Sequence, residues 1–175
     1  MLQNENPRDR LSLLLERWKA EDVSIAQPCT LDTLSNFETR NSILLPSDVR
    51  QYFLAVNGMS PKAPGDIDSE GFCFWPLERM VSVSDEAMQR PAHKSSHLHS
   101  ELKHYFIFAD YLQSSWAYAI RLGLNRDLRP EVVKVDDPDN LIRIANSFSE
   151  FLDLYLSNAP DLYYPSGISR SYRND

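Results

Sequence analysis

Cysteine is scarce in this chain: Cys29 and Cys73 are the two among 175 residues. Neither stands in a CxxC pair or any other metal-type spacing, so nothing supports a disulfide framework or a zinc site. Both read as reduced, mostly buried thiols of a reducing cytosol. Glycine is also scarce, with five scattered residues, and no Gly-rich phosphate loop can be assembled from them. No apolar run approaches the ~20 residues that a membrane span needs. The opening stretch Met1-Leu2-Gln3-Asn4-Glu5-Asn6-Pro7 is polar and has no signal-peptide core. These absences predict a cytoplasmic protein without a membrane partner. Positive charge is the minority: 18 Lys and Arg face 25 Asp and Glu, for a net charge of −7. Such a surface repels phosphate, which argues against nucleic acid as a direct partner. It attracts a basic protein, although moderate negative charge also serves solubility alone.

What the chain does have is the material for a core. It is 42% hydrophobic and 11% aromatic. A chain of this length buries roughly 70% of its unfolded surface, so it needs no metal or disulfide to fold. We read residues 1–175 as a single domain with a core at about 31–156. An N-terminal helix and linker occupy 1–30, and a polar tail occupies 157–175.

Local signals place the elements. Asn6 caps and Pro7 opens a first helix, whose stripe Leu11, Leu14, Leu15 and Trp18 falls at i, i+3, i+4, i+7. Thr30 caps a second helix through Leu31, Leu34 and Phe37. The link Ile43-Leu44-Leu45-Pro46 leads to a third, from about Ser47 to Val56, with Val49, Tyr52, Phe53 and Val56 on one face. Asn57-Gly58 ends it, since both residues tolerate the left-handed conformation. Ser60 to Gly71 reads as a surface loop, and Phe72 to Trp75 as a short strand. A helix through Leu77, Met80 and Val81 is expected next, then a polar, basic loop from Gln89 to His104. Tyr105 to Ala109 is a strand with Asp110 at its end. Trp116, Tyr118, Ile120 and Leu122 alternate at strand period, joined to it by a hairpin through Tyr111 to Ser115. A third strand spans Glu131 to Val135, and Asp136 to Asn140 is an acidic turn. Ser147 and Glu150 form a capping box for a last helix bearing Phe148, Phe151, Leu152 and Tyr155. Asn158 and Pro160 end that helix, and Ser166 to Asp175 reads as a loose polar tail. Helices, then antiparallel strands, then a closing helix predict an α+β fold: a central, mostly antiparallel twisted sheet flanked by helices.

Four segments in this order resemble the SUKH superfamily, also called the Smi/Knr-like domain. They are Phe37-Glu38 followed by Ile43-Leu44-Leu45-Pro46; Asp48 to Leu54 leading to Asn57-Gly58; Phe108-Ala109-Asp110 followed by Trp116 to Leu122; and Ile144 to Leu152. The residues that carry the resemblance are Leu45, Pro46, Tyr52, Asn57, Gly58, Asp110, Ser147, Phe148, Phe151 and Leu152. The likeness covers Leu31 to Leu156. The long basic loop from Gln89 to His104 matches no family element. The resemblance implies a non-catalytic binding domain. In bacteria many similar proteins act as immunity proteins that neutralise a cognate toxin, often a nuclease. In fungi a similar domain sits in cell-wall regulators.

Candidate chemistry fails on spacing. His93, His97, His99 and His104 are the sharpest enzyme-like cluster, yet Glu101 is its one acidic member, and Lys94 and Lys103 repel a cation. Asp136, Asp137 and Asp139 lack the glycine and bidentate glutamate of a calcium loop. Cys29 and Cys73 have no histidine nearby in sequence. The chain is therefore read as a non-enzyme without cofactor. Two acidic stretches remain as candidate partner contacts: Asp66, Asp68 and Glu70, and Asp136, Asp137 and Asp139. Trp75 and Trp116 flank strand ends near them and read first as core. The expected partner is a basic protein toxin; a regulatory or scaffold role unrelated to toxins is the alternative. The oligomeric state stays open.

Overall fold

The computed structural model describes residues 7–60, 67–89, 100–124, 129–138, 140–166 and 169–171. Three helices come first: α1 (Pro7–Ala20), α2 (Leu31–Asn41) and α3 (Ser47–Ala55). Their apolar spacing decides which faces are buried. Leu14 and Trp18, Leu34 and Phe37, and Val49, Tyr52 and Phe53 all lie in the core. Thr30 caps α2 as expected, its hydroxyl accepting from the Thr33 amide at 3.1 Å. The Asn6 cap lies outside the described residues. Asn57 (φ 54°) and Gly58 (φ 76°) follow α3 in the left-handed region. Gly58 is required twice over, because a Cβ there would stand 2.7 Å from the Trp75 backbone. The link into α3 is locked by Glu38. Its carboxylate accepts from the Leu45 amide at 2.8 Å and from Arg50 at 2.7 Å.

The strands are β1 (Phe72–Phe74), β2 (Val81–Ser82), β3 (Tyr105–Tyr111), β4 (Trp116–Arg121), β5 (Val132–Asp137), β6 (Asn140–Ala145) and β7 (Ser169–Ser171). They pair antiparallel throughout in the order β1-β3-β4-β5-β6-β7, with β2 beside β1 along the same edge of β3. The expected α+β architecture with an antiparallel sheet is thus the observed one. Two further helices complete it, α4 (Val83–Gln89) and α5 (Phe148–Leu156).

Three local expectations need correction. The helix expected through Leu77, Met80 and Val81 is a single 3-10 turn at Leu77–Arg79, followed by β2 and then α4. Val81 and Ser82 pair instead with Ile107 and Phe106, because β3 still offers an edge there. Strand β6 was not foreseen, since Leu141, Ile142 and Ile144 interrupt a period-two pattern. The tail read as loose carries β7, whose Ser169–Ser171 backbone pairs with Asn140–Ile142.

Both faces of the sheet are covered. On the inner face Phe72, Phe74, Phe106, Phe108, Tyr118 and Ile120 meet the helices. Phe151 of α5 packs edge-on against Phe108 at 4.9 Å. On the outer face Cys73, Trp75, Tyr105, Ile107, Ala119 and Val133 form a smaller core with Val83 of α4 and Leu102. The alternation breaks at Phe108, where β3 carries a bulge between Ile107 and Ala109. Phe108 and Ala109 both join the inner core, so Asp110 turns to the outer face, opposite Cys73 and Ala117. A bulge re-aims a side chain in this way.

Candidate interaction surface

Strand register gathers three connections at one end of the sheet. Phe72 pairs with Tyr111, Tyr111 with Trp116, Ala117 with Val135, and Asp137 with Asn140. The segment before β1, the β3–β4 turn and the β5–β6 turn therefore lie side by side, neighbouring strands being about 4.8 Å apart. The two acidic stretches singled out in the sequence flank the β3–β4 turn at this end, with β3 and β4 between them. Asp66 and Asp139 lie outside the described residues. Glu70 is half-buried, accepting from the Asn158 side-chain amide at 2.9 Å with Arg17 at 3.9 Å. Asp136 and Asp137 are exposed, and Asp136 pairs with Lys134 at 3.0 Å.

Asp68 departs from the expectation of an exposed loop, being only 4% exposed. One carboxylate oxygen accepts from the Phe72 and Glu70 amides at 2.8 and 3.0 Å. The other accepts from the Tyr155 hydroxyl, which itself accepts from the Trp18 indole N–H at 2.8 Å. Burial pushes the Asp68 carboxyl above its ordinary range. Burial first, and then the Asp68 charge, push the Tyr155 hydroxyl up as well. The stretch looked solvated because acids alternate in it. In the fold it turns back to cap β1, and Asp68 is the pin that ties it to α1 and α5.

An aromatic rim crosses this end. Tyr111 stacks on Trp116 at 4.3 Å, and Tyr163 stands edge-on to Tyr111 at 5.4 Å. The Lys134 ammonium lies 4.1 Å from the Trp116 ring centroid. Tyr163 is pushed up to about 12 by burial and then by Glu70. Beyond the rim Tyr164 is 85% exposed and Leu112 is 48% exposed. The β3–β4 turn holds Leu112, Gln113 and Ser114 at φ 44°, 55° and 70°. Three successive left-handed residues without glycine cost roughly 1–2 kcal/mol each. The turn is kept there by Asp110, which accepts from the Ser114 amide at 3.1 Å, and by the Gly71 carbonyl, which accepts from the Leu112 amide at 2.8 Å.

A family model described as SMI1 / KNR4 family (SUKH-1) matches residues 28–154, more than half of the chain. The chain belongs to the SMI1/KNR4 family. No curated protein matches it. The SUKH-1 match begins after α1 and stops short of Tyr163, Tyr164 and β7. Part of the rim is therefore built from residues beyond the matched segment.

Behind the rim, on the outer face, this SUKH-1 protein has a cleft of about 40 Å³ between α4 and the sheet. Trp75 and Asp110 both line it, the indole N–H donating to the carboxylate at 2.5 Å. The Arg79 guanidinium lies 3.9 Å from the Trp75 ring centroid and 3.7 Å from Asp110. Trp75 is core, as expected. Trp116 is half-buried, stacked on Tyr111 with its indole N–H donating to the Tyr118 hydroxyl at 2.9 Å, and it lines the same cleft as Trp75. Asp110 was read as a strand end; the bulge that gives it this position left no mark in the sequence pattern.

The remaining candidates contribute little. His93, His97 and His99 lie outside the described residues. His104 ends the 3-10 turn Ser100–His104, and its carbonyl accepts from the Leu122 amide at 2.7 Å. Among the described residues no group of three His, Cys, Asp or Glu is placed to hold a metal ion. Burial pushes the Cys29 thiol up to about 11 and raises that of buried Cys73. No described helix is long and apolar enough to cross a membrane.

Proposed function

We propose that this SUKH-1 protein is a non-catalytic binding protein of the immunity type, which neutralises a cognate bacterial toxin by direct contact. The observation that carries the reading is the convergence of Glu70, Asp136 and Asp137 with exposed Tyr164 and Leu112 at one end of the sheet. Acidic side chains around apolar anchors suit a basic protein surface. The buried carboxylates favour binding over chemistry. Asp68 and Asp110 hold backbone amides and ring groups, and Glu131 accepts from the Tyr105 hydroxyl at 2.8 Å. Asp66 and Asp139 belong to the same proposed contact set.

The test is co-expression with the product of a neighbouring, basic, toxin-like reading frame, followed by affinity capture. Restored growth together with a stable complex is the expected result. Continued growth arrest without a complex would overturn the toxin reading. Capture of a regulatory assembly instead would point to a scaffold role.

A further inference from the structure

The outer-face cleft has a chemistry that the acidic loops alone do not supply. Its floor is apolar, formed by Ile107, Ala117 and Val135, and Val83 and Ala87 of α4 make one wall. Ala117 keeps it open, since a larger side chain there would fill the space. Glu86, Asp110 and Asp136 add carboxylates to the lining. A water needs roughly 10–15 Å³ of such volume. The observed 40 Å³ therefore admits more than one water, which is room for the tip of an entering side chain.

Charge decides which group. The Asp110 side chain is only 6% exposed, and the Arg79 guanidinium facing it at 3.7 Å is 46% exposed. Neutral donors, the Trp75 indole and the Ser114 amide, hold the two carboxylate oxygens, and the Arg79 separation is too long for a hydrogen bond, so the negative charge itself is only partly offset. The sheet end also shows twice what its side chains bind. Arg79 sits over Trp75 beside Asp110, and Lys134 sits over Trp116 beside Asp136. Indole plus carboxylate is a cation seat in both places. A long basic side chain would lay its aliphatic stem on the apolar floor and its charged head at the carboxylates.

We infer that this cleft receives an arginine or lysine side chain projecting from the protein partner. Ser114 and Pro138 also line it, so the cleft opens among the same turns that carry the acidic surface. For the identity of the partner the inference rests on the proposed binding function; the capture of a cationic side chain does not depend on it.

The experiment titrates the full-length, nitrogen-15-labelled protein with N-acetyl-arginine amide and follows the indole N–H signals of its three tryptophans. A saturable shift of the Trp75 signal is expected, with a dissociation constant on the order of millimolar. The buried Trp18 signal should stay still. The neutral isostere N-acetyl-citrulline amide should give no saturable shift. Ala117→Leu, which fills the cleft, should weaken the effect by about tenfold. Should that variant not fold, Glu86→Gln is the second, expected to weaken it to a lesser degree. The absence of a saturable shift, equal shifts with citrulline, or a response unchanged in the variants would overturn the inference. Rescue from a toxin with no arginine response would sink the cleft alone. An arginine response without rescue would sink the toxin reading alone.

Discussion

At the scale of single residues, Gly58 and Asp68 show how tightly the connections are specified. Gly58 combines a positive φ with a missing Cβ against Trp75. Gly58→Ala should therefore cost about 2–3 kcal/mol in urea unfolding, strain and overlap both contributing. Asp68 gives a pH signature. Burial raises its carboxyl above the ordinary 3.8 in the folded state. Between that value and its folded-state value the native protein holds the proton that the unfolded chain has released. Its contribution is fully present below the unfolded value and is lost as pH rises through the folded one. Asp68→Asn should flatten this fall in stability as pH rises above 3.8. Equal slopes in the two proteins would show that Asp68 is not the group responsible.

At the scale of elements, α5 is set by its cap and its stripe together. The Ser147 hydroxyl accepts from the Glu150 amide at 3.1 Å, while Glu150 reaches back to the Asn146 amide at 2.7 Å. The capping box thus closes one residue earlier than the motif implies, with Asn146 taking the place of Ser147 as donor. Ser147→Ala should lower stability by about 1 kcal/mol. Phe151→Ala should cost more, about 3–5 kcal/mol, because its ring meets Phe74, Phe108 and Tyr118 at once. Chemical denaturation of the two variants side by side checks that order. Caps and stripes of this kind are local, which is why α2, α3 and α5 could be read from spacing alone. Strand β2 could not, because two residues have no period and only the exposed edge of β3 gives Val81 and Ser82 a reason to extend.

At the scale of the whole molecule, charge governs encounter more than stability. Asp136 and Asp137 are exposed at the rim, with Lys134 already beside Asp136. Replacing both with lysine puts three positive side chains where a basic partner would approach. Association with the proposed basic partner should slow by about tenfold at low salt, and the deficit should shrink as salt is added. Folding stability should move by no more than about 0.5 kcal/mol. Stopped-flow association at two ionic strengths reads the first effect. A deficit insensitive to salt would mean that close contacts, not steering, had been lost.

The sequence by itself determined the α+β order, the faces of the main helices, the stop at Asn57-Gly58 and the hairpin between β3 and β4. Each depends on neighbours within one or two turns of chain, so hydrophobic period, caps and breakers suffice to state it. The acidic stretches were also visible as stretches. Only the tertiary structure decided that they share one end of the sheet, because pairing Phe72 with Tyr111 and Ala117 with Val135 joins residues far apart in the chain. It also separated their roles. Asp68 was drawn inward by the Tyr155 hydroxyl and two backbone amides, while Asp136 stayed at the surface. The same holds for Asp110, whose side of the sheet is set by a one-residue bulge that composition and period do not register.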